Sequence, residues 1–415
     1  MIDTAKNEGW LPREHRGSIL GLAAMVFLIL CSYAIARPAT ESLFVEAYGA
    51  KSLPKAWLLV AVGTIAVVSI YSHWAARIDL VRGFGVISSL SALTLGVLYW
   101  AMQVGLPYAH YLLFMWKDIY IVVLVEVFWS FANQVMPIKK ASRVYGFFLI
   151  IGGLGGMLGN LLGGELALHV GTQRVLLGAI PLLLLAQLGC IGIGRWTRAE
   201  AGIAKNKQQG PGLQEGIAIL LGSRILLLLM LLIALTQIVI NLVDYQTQVA
   251  LESFFPDTDE RTAITGRIYA AVDFLALGLQ LSTGPLLRGL GVPIVMLLIP
   301  SVLLGCVIGA AVLPRMITVA VVKVASKAFD YSIFRAAKEI FYIPLSHTEK
   351  TQGKAFVDMM TYRVSKGLVS LLLLFLGAIS TGAIWLFTMV GLVAWLVCVV
   401  WLVRLSPELS DRSAL

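Results

Sequence analysis

Arg82-Gly83-Phe84-Gly85 returns 206 residues later as Arg288-Gly289-Leu290-Gly291, and that recurrence decides the fold. Glu46 and Glu252 lie at the same offset, and Pro137 and Pro344 are one residue further apart. Three landmarks in one register describe a duplicated chain whose two halves run in parallel. The halves implied are residues 1–195 and 217–415, joined by a polar linker over 196–216.

Outward from these landmarks the chain is too apolar for water. Apolar residues make up 59% and charged residues 13%, and the mean hydropathy is +0.86, far from a soluble globular composition. Each bilayer crossing takes roughly 20 apolar residues. The apolar runs fit about twelve spans, beginning near residues 17, 53, 84, 109, 146, 172, 222, 261, 292, 315, 355 and 382, six per half. The fold class is therefore all-α and polytopic. The fourth and tenth spans carry too many charges for hydropathy alone and are placed partly by the symmetry of the halves.

Lys and Arg concentrate in alternate loops, including Arg13, Arg77, Lys139, Lys207 and Lys350, whereas the loop around Asp257, Asp259 and Glu260 is acidic. The positive-inside bias then puts both termini in the cytoplasm. The first sixteen residues are polar and a spanning run follows them, so no cleavable signal is expected. Cys31, Cys190, Cys306 and Cys398 fall inside spans without ligand spacing, so neither disulfide nor metal site is expected, and no cofactor. The net charge of +9 follows the loops rather than a face, which argues against nucleic-acid binding.

The fifth span places Gly155, Gly159 and Gly163 on one helix face, a close-packing seam; no Gly-Lys-Ser/Thr follows to make it a phosphate loop. Charges inside other spans need a partner, a wet cavity or a task, since each costs roughly 2.5–3.5 kcal/mol at a helix centre. The tenth span carries Lys323, Lys327, Asp330, Arg335, Lys338 and Glu339. At about 100° per residue, Lys323, Lys327, Asp330 and Lys338 share an arc of roughly 80°. Gln237, Asn241, Asp244 and Gln248 line the seventh span. Asp118, Glu126, Trp129 and Asn133 line the fourth, with Lys117 beside them, and Tyr33 and Arg37 end the first.

Spans one, four, seven and ten are those that line the central cavity of a major facilitator carrier, where solute binds between the halves. The expected substrate-binding set is Tyr33, Arg37, Lys117, Trp129, Asn133, Gln237, Asn241, Lys327, Arg335 and Lys338. Asp118, Glu126, Asp244 and Asp330 are expected to pair with these cations or to carry a coupling proton. Fixed cations beside an aromatic suit an anionic solute with a planar ring. Ion pairing between helices is the alternative for each charged position.

The stretches YAIARPATESLFVEAYGAKSLPKAW (33–57), FWSFANQ (128–134), NLVDYQTQVALESFFP (241–256), FDYSIFRAAKEIFYIPL (329–345) and GKAFVDMMTYRVSKG (353–367) resemble the non-mitochondrial ATP/ADP translocase family of intracellular bacteria and plastids. The resemblance implies a major-facilitator-like carrier exchanging nucleotides, with Arg37, Asp244 and Lys338 at charged positions the family uses. The chain departs from the family's ATP/ADP exchangers at two positions. Thr40 stands where they usually carry Lys, and Lys117 where they usually carry Glu.

The expectation is a monomeric transporter in a bacterial inner membrane, moving a nucleotide or related phosphorylated metabolite by alternating access, by exchange or by symport. Proton-coupled symport of another small polar solute is the alternative. A polytopic membrane enzyme is a weaker one, because no nucleophile, metal or Ser/His/Asp pattern accompanies the polar residues.

Overall fold

A computed structural model describes residues 16–75, 80–135, 141–197, 213–376 and 381–405. Lys139, Lys207, Arg13, Arg77 and most of the 196–216 linker lie outside the described residues. In chain order the helices are α1 (Arg16–Tyr48), α2 (Leu53–Ala75), α3 (Leu80–Gln103), α4 (Ala109–Val135), α5 (Ala141–Val170), α6 (Thr172–Val175) and α7 (Ala179–Thr197). Then follow α8 (Leu213–Gly222), α9 (Arg224–Phe254), α10 (Thr258–Leu290), α11 (Val292–Val312), α12 (Met316–Phe329), α13 (Arg335–Ile340), α14 (Lys354–Leu376) and α15 (Thr381–Leu405). Among the described residues there is no strand.

Among the described residues, nine helical segments are long and apolar enough to cross a membrane. The three long segments outside that set are α4, α12 with α13, and α14, and the first two are the charged spans that the symmetry of the halves helped to place. Large apolar side chains such as Phe274, Leu281 and Phe375 are exposed, which suits hydrocarbon and not water.

Two compact units emerge from the packing. The first comprises 1–47, 62–206 and 257–270, and the second 48–61, 207–256 and 271–415. Each unit thus holds a short segment from the other half of the sequence. These two segments occupy nearly matching positions of the repeat, since 48–61 shifted by 206 falls on 254–267. Inside the second unit, the Ala50 amide donates to Glu252 Oε2 at 3.1 Å. Inside the first, the Arg261 guanidinium donates to the Ser42 carbonyl at 3.0 Å, and the Thr172 amide and hydroxyl each donate to Asp259 Oδ1 at 2.6 Å.

In the first unit α1 runs against α5 along the glycine seam. A Cβ at Gly155 would lie 2.5 Å from the Phe27 carbonyl oxygen, one at Gly159 2.6 Å from that of Cys31, and one at Gly163 3.0 Å from Ile35 Cα. No side chain fits there, so the two backbones touch. In the second unit α9 packs on α12, α14 and α15, with Phe334 edge-on to the buried Trp395 at 5.5 Å.

The two copies of the Arg-Gly-x-Gly landmark differ in local structure. Arg82 to Gly85 lie in the first turns of α3, whereas Arg288 to Leu290 end α10 and Gly291 turns the chain at φ 82°, a conformation glycine adopts without steric cost.

The tenth span is not a continuous α-helix. A π turn, Asp330–Phe334, separates α12 from α13. The wider turn changes the angular step per residue, so the charged arc drawn at α-helical pitch holds as far as Asp330 and is rephased before Lys338.

Candidate functional site

Each unit carries a buried lysine held by a carboxylate from the first helix of its own half. In the first unit this is Lys117 on α4, 3% exposed. Its Nζ lies 2.8 Å from Asp118 Oδ1 and 3.5 Å from Glu41 Oε1 on α1. Arg37, one turn before Glu41, reaches the same Oε1 at 3.5 Å. The Tyr269 hydroxyl donates to Glu41 Oε2 at 2.9 Å. The Arg37 guanidinium is 3.5 Å from the centroid of the Tyr269 ring and 5.7 Å from that of Tyr33. Two cations therefore face two carboxylates. Taking each ion out of water costs several kcal/mol, and only mutual pairing offsets that cost, so the cluster holds together as a neutral set.

In the second unit the buried lysine is Lys323 on α12, 2% exposed. It is paired with Asp244 Oδ1 on α9, and Lys327 Nζ takes the other oxygen at 3.1 Å. Lys117 and Lys323 are 206 residues apart, the offset of the landmarks, so the duplication places a buried lysine at one position in both halves. Here one carboxylate serves two ammonium groups. Asp330, 5% exposed, is joined by the Gln237 amide at 3.4 Å. Among the described residues no cation lies within 4 Å of it. Further along, Arg335 is exposed, Lys338 is buried with Glu339 3.9 Å away, and Lys354 pairs with Glu339. Lys323, Lys327, Arg335, Lys338 and Lys354 thus stand against Asp244, Asp330 and Glu339.

The other expected residues distribute as follows. Tyr33 and Asp118 belong to the first cluster. Trp129 is edge-on to Tyr145 at 5.3 Å and to Phe128 at 5.3 Å. Asn133 accepts from the Tyr145 hydroxyl. Glu126 is exposed on α4, with no ion pair among the described residues. The Asn241 side chain donates back to the Gln237 carbonyl at 2.7 Å, which takes one of its two N–H groups. Thr40 is 1% exposed and its hydroxyl makes no hydrogen bond among the described residues.

Glu41 and Tyr269 were missed by sequence reasoning. The i, i+4 spacing of Arg37 and Glu41 on α1 could have found the first. Nothing in the sequence could have found the second, because Tyr269 lies on α10 and reaches Glu41 only through the fold. Lys323 was legible from the 206 offset applied to Lys117.

Solved transporters share this architecture at low identity. A nucleoside transporter, NupG, superposes with a TM-score of 0.70 at 13% identity over 92% of this chain and 98% of its own. A D-xylose-proton symporter superposes with a TM-score of 0.67 at 14% identity over 92% and 96%. These likenesses establish a major-facilitator-type fold.

Among sequence relatives, the ADP,ATP carrier protein 1 of Chlamydia muridarum is 28% identical over 304 residues, 62% of this chain and 57% of the relative. The carrier of the same name from Chlamydia trachomatis is 28% identical over 68% of this chain and 61% of its own length. The C. trachomatis ADP,ATP carrier protein 2 is 25% identical over 94% and 89%. The matches to the two Chlamydia carriers numbered 1 thus span about six-tenths of those relatives' length. The TLC ATP/ADP transporter family model matches residues 192–408, a stretch that holds the whole cluster around Asp244. An integral membrane protein with this fold and a family match over more than half its length, the chain belongs to the TLC ATP/ADP transporter family.

Proposed function

We propose that the protein carries a nucleotide or related phosphorylated anion across a membrane by alternating access, as two six-helix halves, 1–195 and 217–415, joined by a cytoplasmic linker. The observation that carries this reading is the cation excess on α12 and α13. An exposed Arg335 and a partly exposed Lys327 in a bilayer-spanning segment cannot face hydrocarbon. A water-filled path with an anion in it satisfies them, and charge-assisted contacts to phosphate are the strong ones. The names of the relatives, ADP,ATP carriers, support the substrate class.

In this reading Lys327, Arg335 and Lys338 contact substrate with Gln237 and Asn241. Tyr33, Arg37, Lys117, Trp129 and Asn133 are the first unit's contribution, and Asp118, Glu126, Asp244 and Asp330 pair with cations or couple ions. The membrane is a bacterial inner membrane, both termini are cytoplasmic, the protein works as a monomer, and no enzymatic activity is proposed. The test is uptake of labelled nucleotides, sugar phosphates and amino acids into proteoliposomes, with a thermal-shift panel of the same solutes, since a ligand stabilises in proportion to the logarithm of concentration over Kd. Nucleotide uptake and stabilisation are expected. Preferred uptake of a neutral or cationic solute overturns the reading.

A second reading, coupling to protons, is favoured by Asp330, a buried carboxylate near lysines but held by an amide. Its test is nucleotide-driven alkalinisation outside the proteoliposome, expected in wild type and absent in Asp330→Asn. Exchange of nucleotides with no proton movement in wild type excludes it.

A further inference from the structure

Tyr331 is the second residue of the π turn in the tenth span. A π turn displaces carbonyls from their usual i+4 donors, and such freed groups within a bilayer must find partners. The Tyr331 carbonyl finds one in α10, where Gln280 Nε2 donates to it at 3.0 Å. The backbone at this residue is therefore held by a neighbouring helix, which fixes the point from which the ring projects.

The ring is partly exposed. Lys327 Nζ, one turn before, is 5.9 Å from its centroid, and Arg335 Cζ, one turn after, is 5.4 Å from it. Among the described residues the ring has no aromatic partner and its hydroxyl no hydrogen-bond partner. Trp129, the aromatic singled out from the sequence, has Tyr145 and Phe128 against it instead. Tyr331 is thus an electron-rich plane, on backbone held by α10 and flanked by two cations, in the span that carries the cation excess.

A nucleotide offers the complementary pattern, a planar base at one end and a phosphate chain at the other. Rings of any base stack on an aromatic plane, and guanidinium and ammonium groups prefer phosphate oxygens to a ring face. Resting on the carrier reading above, we infer that Tyr331 is the base-stacking residue of the substrate site, with Lys327 and Arg335 taking phosphates of the same molecule. Recognition is then of a ring joined to an anion rather than of an anion alone.

The test compares ATP with inorganic tripolyphosphate, which has the charge and lacks the ring, on the purified full-length protein by calorimetry. Wild type is expected to bind ATP roughly ten-fold more tightly than tripolyphosphate. Tyr331→Leu is expected to lose roughly ten-fold in ATP affinity with tripolyphosphate unchanged, and Tyr331→Phe to keep both. Equal binding of ATP and tripolyphosphate by wild type overturns the inference without any variant. So does a folded Tyr331→Leu that keeps wild-type ATP affinity or weakens both ligands alike. If wild type binds neither ligand, the carrier reading fails and the inference fails with it. If ATP binds but Tyr331 is indifferent, only the inference falls.

Discussion

The cluster around Lys117 and the cluster around Lys323 start from the same plan and end in different chemistry. Both lysines are almost fully buried, both lie on the first helix of the second three-helix repeat of their half, and both pair with a carboxylate from the first helix of that half. Around Lys117, Arg37 and Lys117 lie against Glu41 and Asp118. Around Lys323, Lys327 shares Asp244, and Arg335 and Lys338 follow along the span. A buried ion-paired set is costly to disturb. Duplication set the position of the lysine in each half, and divergence of its neighbours gave the two lysines different partners.

The sharpest way to break this comparison is Lys117→Met. It removes the ammonium that Glu41 and Asp118 share, and removing one partner of a buried pair costs about 3–5 kcal/mol. Folded yield and melting temperature should fall steeply, and adding Glu41→Gln should recover part of the loss. A Lys117→Met protein that melts like wild type but no longer binds nucleotide would reverse the roles of the two clusters.

Lys327→Gln should do the opposite. Asp244 keeps Lys323, so melting should change little, while loss of one charge-assisted phosphate contact should weaken nucleotide binding roughly ten- to a hundred-fold. Calorimetry beside a thermal melt separates the two effects. Unchanged affinity would leave the cation surplus without a role.

A smaller effect is expected at Tyr269, whose hydroxyl donates to Glu41. Tyr269→Phe keeps the ring under Arg37 and removes one hydrogen bond, about 1.5–3 kcal/mol at a charged acceptor and less if water replaces it. Its effect should vanish in a Glu41→Gln background. Additive effects would show that the bond is not what joins α10 to the first cluster.

The smallest effect lies outside both clusters, where Glu349 accepts from the Ser346 amide at 2.9 Å and hydroxyl at 2.6 Å. Hydrogen bonds from Ser223 and Ser346 hold its carboxyl below the usual value of 4.5. The sign follows from that direction. The cap is at full strength above about pH 4.5 and weakens as pH falls through the lowered value. Ser346→Ala should cost about 0.5–1 kcal/mol near neutrality and flatten this acid dependence in thermal melts. A variant as stable as wild type with unchanged acid dependence would remove the cap from the account, and either result gives the baseline against which the two clusters are compared.

Much of the fold was legible in the chain because membrane helices announce themselves by length and apolarity, and because the landmarks at offsets of 206 and 207 supplied α4 and α12, which hydropathy alone passes over. The Gly155, Gly159 and Gly163 seam was legible too, since four-residue spacing of small residues has one physical use in a helix pair. The charged residues were legible as a set but not as pairs. Lys117 with Asp118 beside it was readable along the chain, yet nothing there says that Glu41 from another helix reaches the same ammonium.

What the sequence by itself determined is the inventory: how many helices, which of them carry charge, and that the second half repeats the first. The tertiary structure alone decided which charges pair, because pairing depends on distances of a few ångströms between residues tens to hundreds apart in the chain. It also decided the π turn at Asp330, which no periodicity predicts, since a single widened turn depends on partners such as Gln280 that only packing brings within reach.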